Sequence, residues 1–206
     1  MIRRRDFLKS CAAGLFSSSA SQAFAHAKQT GFTLPEELLP REIKLKTRLA
    51  PGEIHVDPNQ FALFWTLPDN RAIRFAVGIG RGNLYHSGSY YVGAKRKWPR
   101  WKPTPAMMAR NPGGYADFQE GGRYENGQPG GLANPLGARA LYLYQPGRGD
   151  SYLRIHGTNR PRTIGTAVSN GCARLVNEHV TMLYDMVPMG TRVTLYPKAN
   201  GVPSHS

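Results

Sequence analysis

Ile155-His156-Gly157-Thr158 and Ser169-Asn170-Gly171-Cys172-Ala173-Arg174 are the two stretches on which the reading of this 206-residue chain turns. The second holds one of the two cysteines in the sequence, and the first places a histidine within sequence reach of it. A lone thiol with a histidine at such a distance is a candidate nucleophile. Most free cysteines behave instead as small buried hydrophobes. Cys172, however, lies between glycine and alanine in a polar, turn-forming run rather than in an apolar strand. Asn-Gly alone signals a hairpin turn; followed directly by Cys172, Asn170-Gly171 reads as the mount of a nucleophile.

The chemistry of these residues is coherent. A thiol of pKa ~8.5 is mostly protonated at neutral pH and needs a partner that lowers it, most often an imidazole. His156 is that candidate, carried at the end of a strand read at Tyr152–His156. Its other ring nitrogen needs an acceptor to fix the tautomer. Backbone N–H groups of the Asn170-Gly171 turn, with that of Cys172, suit a developing oxyanion, where one lost donor costs ~3 kcal/mol in the transition state. Glycine at 171 leaves room for that geometry and for close substrate approach. Arg174 has two readings: its fork of donors holds a substrate carboxylate, or it braces the loop by binding backbone carbonyls.

Outward from this centre the chain reads as mainly β. Strands are expected at Glu53–Val56, Phe61–Thr66 and Arg71–Ile79, a meander separated by Asp57-Pro58-Asn59 and Pro68-Asp69-Asn70 turns. Tyr90–Val92, Ala140–Tyr144, Tyr152–His156 and Arg192–Tyr196 extend it, each short, rich in β-branched or aromatic residues and bounded by glycine or proline. One stretch changes period: Asn177 is placed to cap a helix running to about Val187, with Val180, Leu183, Tyr184 and Val187 on one face and Pro188 as its stop. Such a helix braces the cysteine segment against the sheet. About 145 residues suit one domain with one core.

Between Ala94 and Gly131 the sequence is of another kind, with Trp98-Pro99-Arg100-Trp101-Lys102-Pro103, a short helical possibility at Pro105–Arg110, then repeated glycines. A loop of this length inside a compact domain is functional or disordered, and two tryptophans argue against disorder. It reads either as a wall or lid of a cleft, or as a loop pinned to the core by its aromatics.

The N-terminus carries Arg4-Arg5-Asp6-Phe7-Leu8-Lys9, a twin-arginine export signature, then a small, weakly apolar stretch and Ala23-Phe24-Ala25 as a cleavage site. Residues 1–25 are therefore expected to be removed, and Cys11 with them. Lys9 inside the would-be lipobox argues against lipidation of Cys11. No segment approaches the ~20 apolar residues of a membrane span, so none is expected. Residues 26–50, polar and marked by Pro35 and Pro40, read as a linker or an arm laid over the domain; 51–197 form the domain and 198–206 a tail. One unpaired thiol outside the cytoplasm calls for a reason, and catalysis is the leading one.

The chain has 27 Lys and Arg against 13 Asp and Glu, a formal charge of +14, and only four of those basic residues fall in the first 25. A basic exported protein suits an anionic partner such as cell wall, membrane surface or nucleic acid, and composition alone does not choose among them. No zinc-ligand spacing, recognition-helix pattern or aromatic ribonucleoprotein motif is present, so nucleic acid is not expected. His55, His179 and His205 form no pair with metal-ligand spacing, so no metal is expected. Gly78-Ile79-Gly80-Arg81-Gly82 lacks the helix and lysine of a phosphate loop. No cofactor is called for.

These residues carry a resemblance. Ile155-His156-Gly157-Thr158, twelve residues from Gly157 to Val168, then Ser169-x-Gly171-Cys172-x-Arg174, resembles the signature of the L,D-transpeptidase catalytic domain of the YkuD type. Val77-Gly78-Ile79-Gly80, Asn134-Pro135-Leu136-Gly137 and Gly190-Thr191-x-Val193 extend it over roughly residues 52–197. Two departures stand out: Asn170 where many members have histidine, and Tyr85-His86-Ser87-Gly88 in place of Thr-Pro-x-Gly at the cleft border. The first implies that position 170 is not the general base.

The resemblance implies a β-sandwich or barrel with one short helix after the cysteine segment and a long loop over the cleft. It implies Cys172 as nucleophile, His156 as base, the Gly157 carbonyl as its orienting acceptor, Ser169 as a second orienting group and Gly171 with Asn170 as the oxyanion backbone. The reaction implied is attack on the diaminopimelate–D-alanine bond of a peptidoglycan tetrapeptide stem, release of D-alanine and resolution of a thioester by an amine. A second stem gives a 3→3 cross-link, an outer-membrane protein an anchor to the wall, and water a carboxypeptidase. Together with the export signal this points to a Gram-negative periplasm. The rival readings are a cysteine peptidase of broader specificity and a non-catalytic wall-binding module on the same fold.

Overall fold

A computed structural model describes residues 32–199; the expected export signal and cleavage site, His205 and nearly all of the expected tail lie outside the described residues. Eleven strands and two α-helices are placed along them. In chain order they are β1 (Arg41–Lys44), β2 (Ile54–Asp57), β3 (Ala62–Leu67), β4 (Arg71–Ala76), β5 (Ile79–Gly80), β6 (Gly88–Lys97), α1 (Pro105–Arg110), β7 (Arg139–Gln145), β8 (Gly149–His156), β9 (Ala167–Ser169), β10 (Ala173–Arg174), α2 (Asn177–Met186) and β11 (Arg192–Leu195). The protein is mainly β, as its sequence pattern predicts.

Nine strands form one sheet in the order β1-β4-β3-β2-β11-β6-β7-β8-β10, and β5 pairs with β9 in a second. The β2–β3–β4 meander closes where expected: Asp69 and Asn70 have φ of 59° and 57°, the left-handed conformation that a tight hairpin demands and that Asn and Asp tolerate best. β11 then inserts parallel to β2 and antiparallel to β6, joining the meander to the β6–β7–β8 layer. Ile54, Leu63 and Phe75 from one end of the sheet and Leu141, Ile155 and Ala173 from the other share one core with Val180 and Leu183 of α2. The sheet therefore curves around a shared apolar core instead of lying flat, and Leu34, Ala76, Ile164 and Val176 form a second, smaller cluster.

Several expectations need correction. The strand read at Tyr90–Val92 runs on to Lys97 across a bulge between Val92 and Ala94, so the loop begins at Trp98. Ala94 is followed by three charged residues, Lys95-Arg96-Lys97, which show no apolar alternation, yet all four pair with β7. The stretch read as one strand over Arg71–Ile79 breaks after Ala76, and Ile79-Gly80 turns away to pair with β9. The helical possibility at Pro105–Arg110 does form, with Thr104 accepting from Met107 N at 3.3 Å as its N-cap. Asn177 is the first residue of α2 rather than its cap, which is Val176 with no side-chain cap. Residues Arg41–Lys44, inside the segment read as linker or arm, pair antiparallel with β4 as an edge strand.

The loop after β6 is organised by its own aromatics. The Trp101 and Phe118 rings meet edge-on at 4.9 Å, and Tyr115 and Tyr124 flank Phe118 at 6.3 and 5.5 Å. Its root is fixed by Asn134, wholly buried, whose amide donates to the carbonyls of Pro99, Gln128 and Pro129 at 3.1, 3.1 and 2.9 Å.

Candidate active site

β8 ends at His156, and β10 lies parallel beside it with Ala173 opposite Ile155 and Arg174 opposite His156. That register sets the Cys172 turn alongside the last residues of β8. Ile155 and Ala173 point into the core. Strand alternation then turns Arg154, His156 and Arg174 to the other face. The His156 ring is buried, and its Nδ1 lies 2.6 Å from the Gly157 carbonyl oxygen. A carbonyl only accepts, so Nδ1 carries the hydrogen and donates, leaving Nε2 with its lone pair.

The turn that carries Cys172 is closed by Ser169. Its hydroxyl donates to the Cys172 carbonyl at 2.7 Å and accepts from Gly171 N at 3.2 Å. Gly171 has φ of 125°, and a Cβ there would stand 2.8 Å from the Leu84 carbonyl oxygen, so both conformation and space require glycine. The Gly171 N–H, expected among the oxyanion donors, is thus engaged with Ser169. The Asn170 side chain accepts from Arg110 at 3.5 Å, which brings the long loop to the rim of the site.

Burial pushes the Cys172 thiol above its ordinary pKa, while the Arg154 backbone N–H and the charges of Arg154 and Arg174 pull it back. Cys172 is only partly exposed, less open than its polar neighbours suggest. His156 is driven down to about 3, first by burial and then by Arg174, with the Gly157 hydrogen bond opposing. The resting pair is thus a neutral thiol and a neutral imidazole. Among the described residues no hydrogen bond joins the two, an arrangement common before substrate tightens a site.

Arginines surround the pair. Arg154 forks onto Asp150 at 2.6 and 2.7 Å and stacks 4.0 Å from the Tyr142 ring centre. Arg174 is packed over Gly78, where an added Cβ would stand 3.2 Å from Nη2, and its Nε and Nη2 are buried without a hydrogen-bond partner. Neither backbone carbonyls nor an acidic side chain hold those two nitrogens.

All seven residues singled out from sequence lie around this turn: Cys172, His156, Gly157, Ser169, Asn170, Gly171 and Arg174. Two supporting residues escape a sequence reading. Arg154 is one of many scattered basic residues and carries no signal. Asn177, read as a cap, instead accepts from Ala138 N at 2.9 Å and fills the space a Cβ on Gly137 or Gly157 would need. It thereby locks Asn134-Pro135-Leu136-Gly137 against the His156-Gly157 turn. The glycines at 137 and 157 were the signal, since they mark a close approach. His55 and His179, away from the site, are buried within the fold: His55 bonds Tyr196 at 3.0 Å and His179 sits against Phe75.

Residues 51–195 match the model of the YkuD L,D-transpeptidase catalytic domain, and the chain belongs to that family. It is 49% identical over 158 residues to the putative L,D-transpeptidase YkuD of Bacillus subtilis, covering 77% of this chain and 84% of that protein. To the probable L,D-transpeptidase ErfK/SrfK of Escherichia coli it is 33% identical over 184 residues, covering 88% of this chain and 54% of the relative. A Brucella melitensis crystal structure described as a probable carnitine operon oxidoreductase superposes with a TM-score of 0.52 at 41% identity, over 77% of this chain and 93% of that one. The chain spans about half the length of the Escherichia coli relatives it matches, 54% of ErfK/SrfK and 47% of YbiS.

Proposed function

We propose that this chain is a peptidoglycan L,D-transpeptidase of the periplasm, exported by the twin-arginine route and freed of residues 1–25. The observation that carries the reading is the β8–β10 register, which sets the Cys172 turn beside His156 on the family's domain. The donor is a tetrapeptide stem ending in D-alanine. Cys172 Sγ attacks the carbonyl of diaminopimelate as its proton passes to His156 Nε2. The amide nitrogen of D-alanine leaves with that proton, and a thioester remains. Since burial opposes charge on the imidazole, proton transfer accompanies attack rather than preceding it.

The oxyanion falls to the backbone amides of Asn170 and Cys172, with Gly171 shaping the turn and Ser169 fixing it. An amine then attacks the thioester, gives its proton through His156, and restores the thiol. The acceptor is a second stem or the amine of an outer-membrane protein. Transfer requires the amine to be in place before water, and the loop from Trp98 to Gly131, which reaches Asn170 through Arg110, supplies the covering wall. The positive charge of the chain suits the anionic wall.

Incubating the protein with purified tetrapeptide muropeptides and reading product masses tests this. Cross-linked dimer with free D-alanine is expected. Cleavage without dimer would instead make the enzyme a carboxypeptidase, and no change in either would leave a wall-binding module.

A further inference from the structure

The segment that follows β11 folds back toward the nucleophile. Tyr196 N continues the pairing by donating to Val56 O at 2.9 Å. Asn59 then grips the chain from both sides, donating to Pro197 O at 3.2 Å and accepting from Ala199 N at 2.7 Å. Between these two bonds stands Lys198. Its Nζ donates to the carbonyls of Gly80 and Gly82 at 2.9 and 3.0 Å and lies 5.7 Å from the centre of the Tyr85 ring. An ammonium offers three donors, and here two of them close the turn that follows β5.

That turn is the underside of the Cys172 mount. Gly80 pairs with Ser169, and Arg81 N donates to Ser169 O at 3.0 Å. A Cβ on Gly80 would stand 2.9 Å from the Gly171 Cα, and one on Gly171 would stand 2.8 Å from the Leu84 carbonyl oxygen. Backbone therefore touches backbone from both directions, with no side chain between to absorb a shift. In a close-packed contact of this kind displacement is transmitted rather than damped. The matched domain ends at residue 195, so the clamp lies beyond it.

We propose that Lys198 is a positioning residue for Cys172: its ammonium pins the Gly80–Tyr85 turn against Gly171, and so fixes where the thiol stands relative to His156 and the substrate. The inference rests on the reading of Cys172 as nucleophile. It assigns the segment after the last strand a part in catalysis although its described residues, 196–199, make no hydrogen bond to Cys172. A clamp that acts only on stability would leave the rate per folded molecule untouched. One that sets geometry lowers that rate, since a shift of about 1 Å in a reacting group costs up to ~100-fold.

The test uses Lys198→Met, which keeps the stem and removes the ammonium, Lys198→Arg, Asn59→Ala and the double variant Asn59→Ala/Lys198→Met. Two rates are read on protein verified as folded: D-alanine release from tetrapeptide, and alkylation of Cys172 by iodoacetamide, which needs no substrate. For Lys198→Met we expect kcat lower by roughly 10-fold with KM little changed, an altered alkylation rate, and recovery of most of both in Lys198→Arg. Asn59→Ala should act in the same direction, and the double variant should lose less than the two losses combined, as residues on one path do. Unchanged kcat and alkylation in Lys198→Met, with only a lower Tm, would overturn the inference. Should the wild type release no D-alanine, the proposed reaction fails, and alkylation alone decides on Lys198: equal rates in wild type and Lys198→Met overturn it.

Discussion

At the scale of the residue, the thiol and the imidazole both resist charge. Cys172 is pushed up by burial and His156 is pushed down to about 3, so a resting thiolate–imidazolium pair is disfavoured from both sides. Iodoacetamide alkylation of Cys172 should therefore rise with pH through a single ionisation on the alkaline side. An inflection near the ordinary histidine range, lost in His156→Ala, would contradict this. In turnover His156→Ala should cost ~100- to 10,000-fold, the usual worth of a general base. Both residues are legible in the sequence because their chemistry is concentrated in two short motifs. Arg154 is not, because its influence depends on lying beside Cys172 across a strand pair that no local pattern announces.

At the scale of the element, α2 and the long loop position the site from opposite sides. Asn177 is 1% exposed and satisfies Ala138 N. Asn177→Ala leaves that buried donor without a partner, at about 1–3 kcal/mol, and loosens the Gly137–Gly157 contact. A lower Tm together with slower D-alanine release should follow; no change in either would contradict the bracing role. For the loop, a variant shortened between Trp98 and Gly131 should lose transfer relative to hydrolysis more than it loses D-alanine release. Equal losses in a folded variant would assign the loop to donor binding. Strands β2, β3, β4, β7, β8 and β11 are legible within a few residues because alternation and turn chemistry agree in them. β5, β9 and β10 are two or three residues long, too short for alternation to register, and only the folded sheet defines them. β1 is nearly all exposed, so it has no apolar face to read.

At the scale of the whole molecule, stability is tied to histidines that fold in neutral. His156 and His179 are lowered to about 3 and about 4, chiefly by burial, against ~6.5 in an unfolded chain. Below pH ~6.5 the unfolded state binds more protons than the folded one, so stability is full above that pH and falls as pH drops toward the folded values. Tm should be level around neutral pH and should decline between pH ~6.5 and ~4. His179→Leu, which fills the same place against Phe75 without a titrating group, should flatten that decline; an equal decline in the variant would contradict the assignment. The curved sheet brings a motif at 155–158, a turn at 169–174 and a clamp at 198 to one place, and the reaction proposed for that place is the central claim. It is tested most directly by intact-mass spectrometry of the protein mixed with a tetrapeptide stem and quenched in acid. The account predicts an adduct equal to the stem less D-alanine, carried on Cys172 and absent in Cys172→Ala. D-alanine release with no adduct on Cys172, or release persisting in Cys172→Ala, would contradict it.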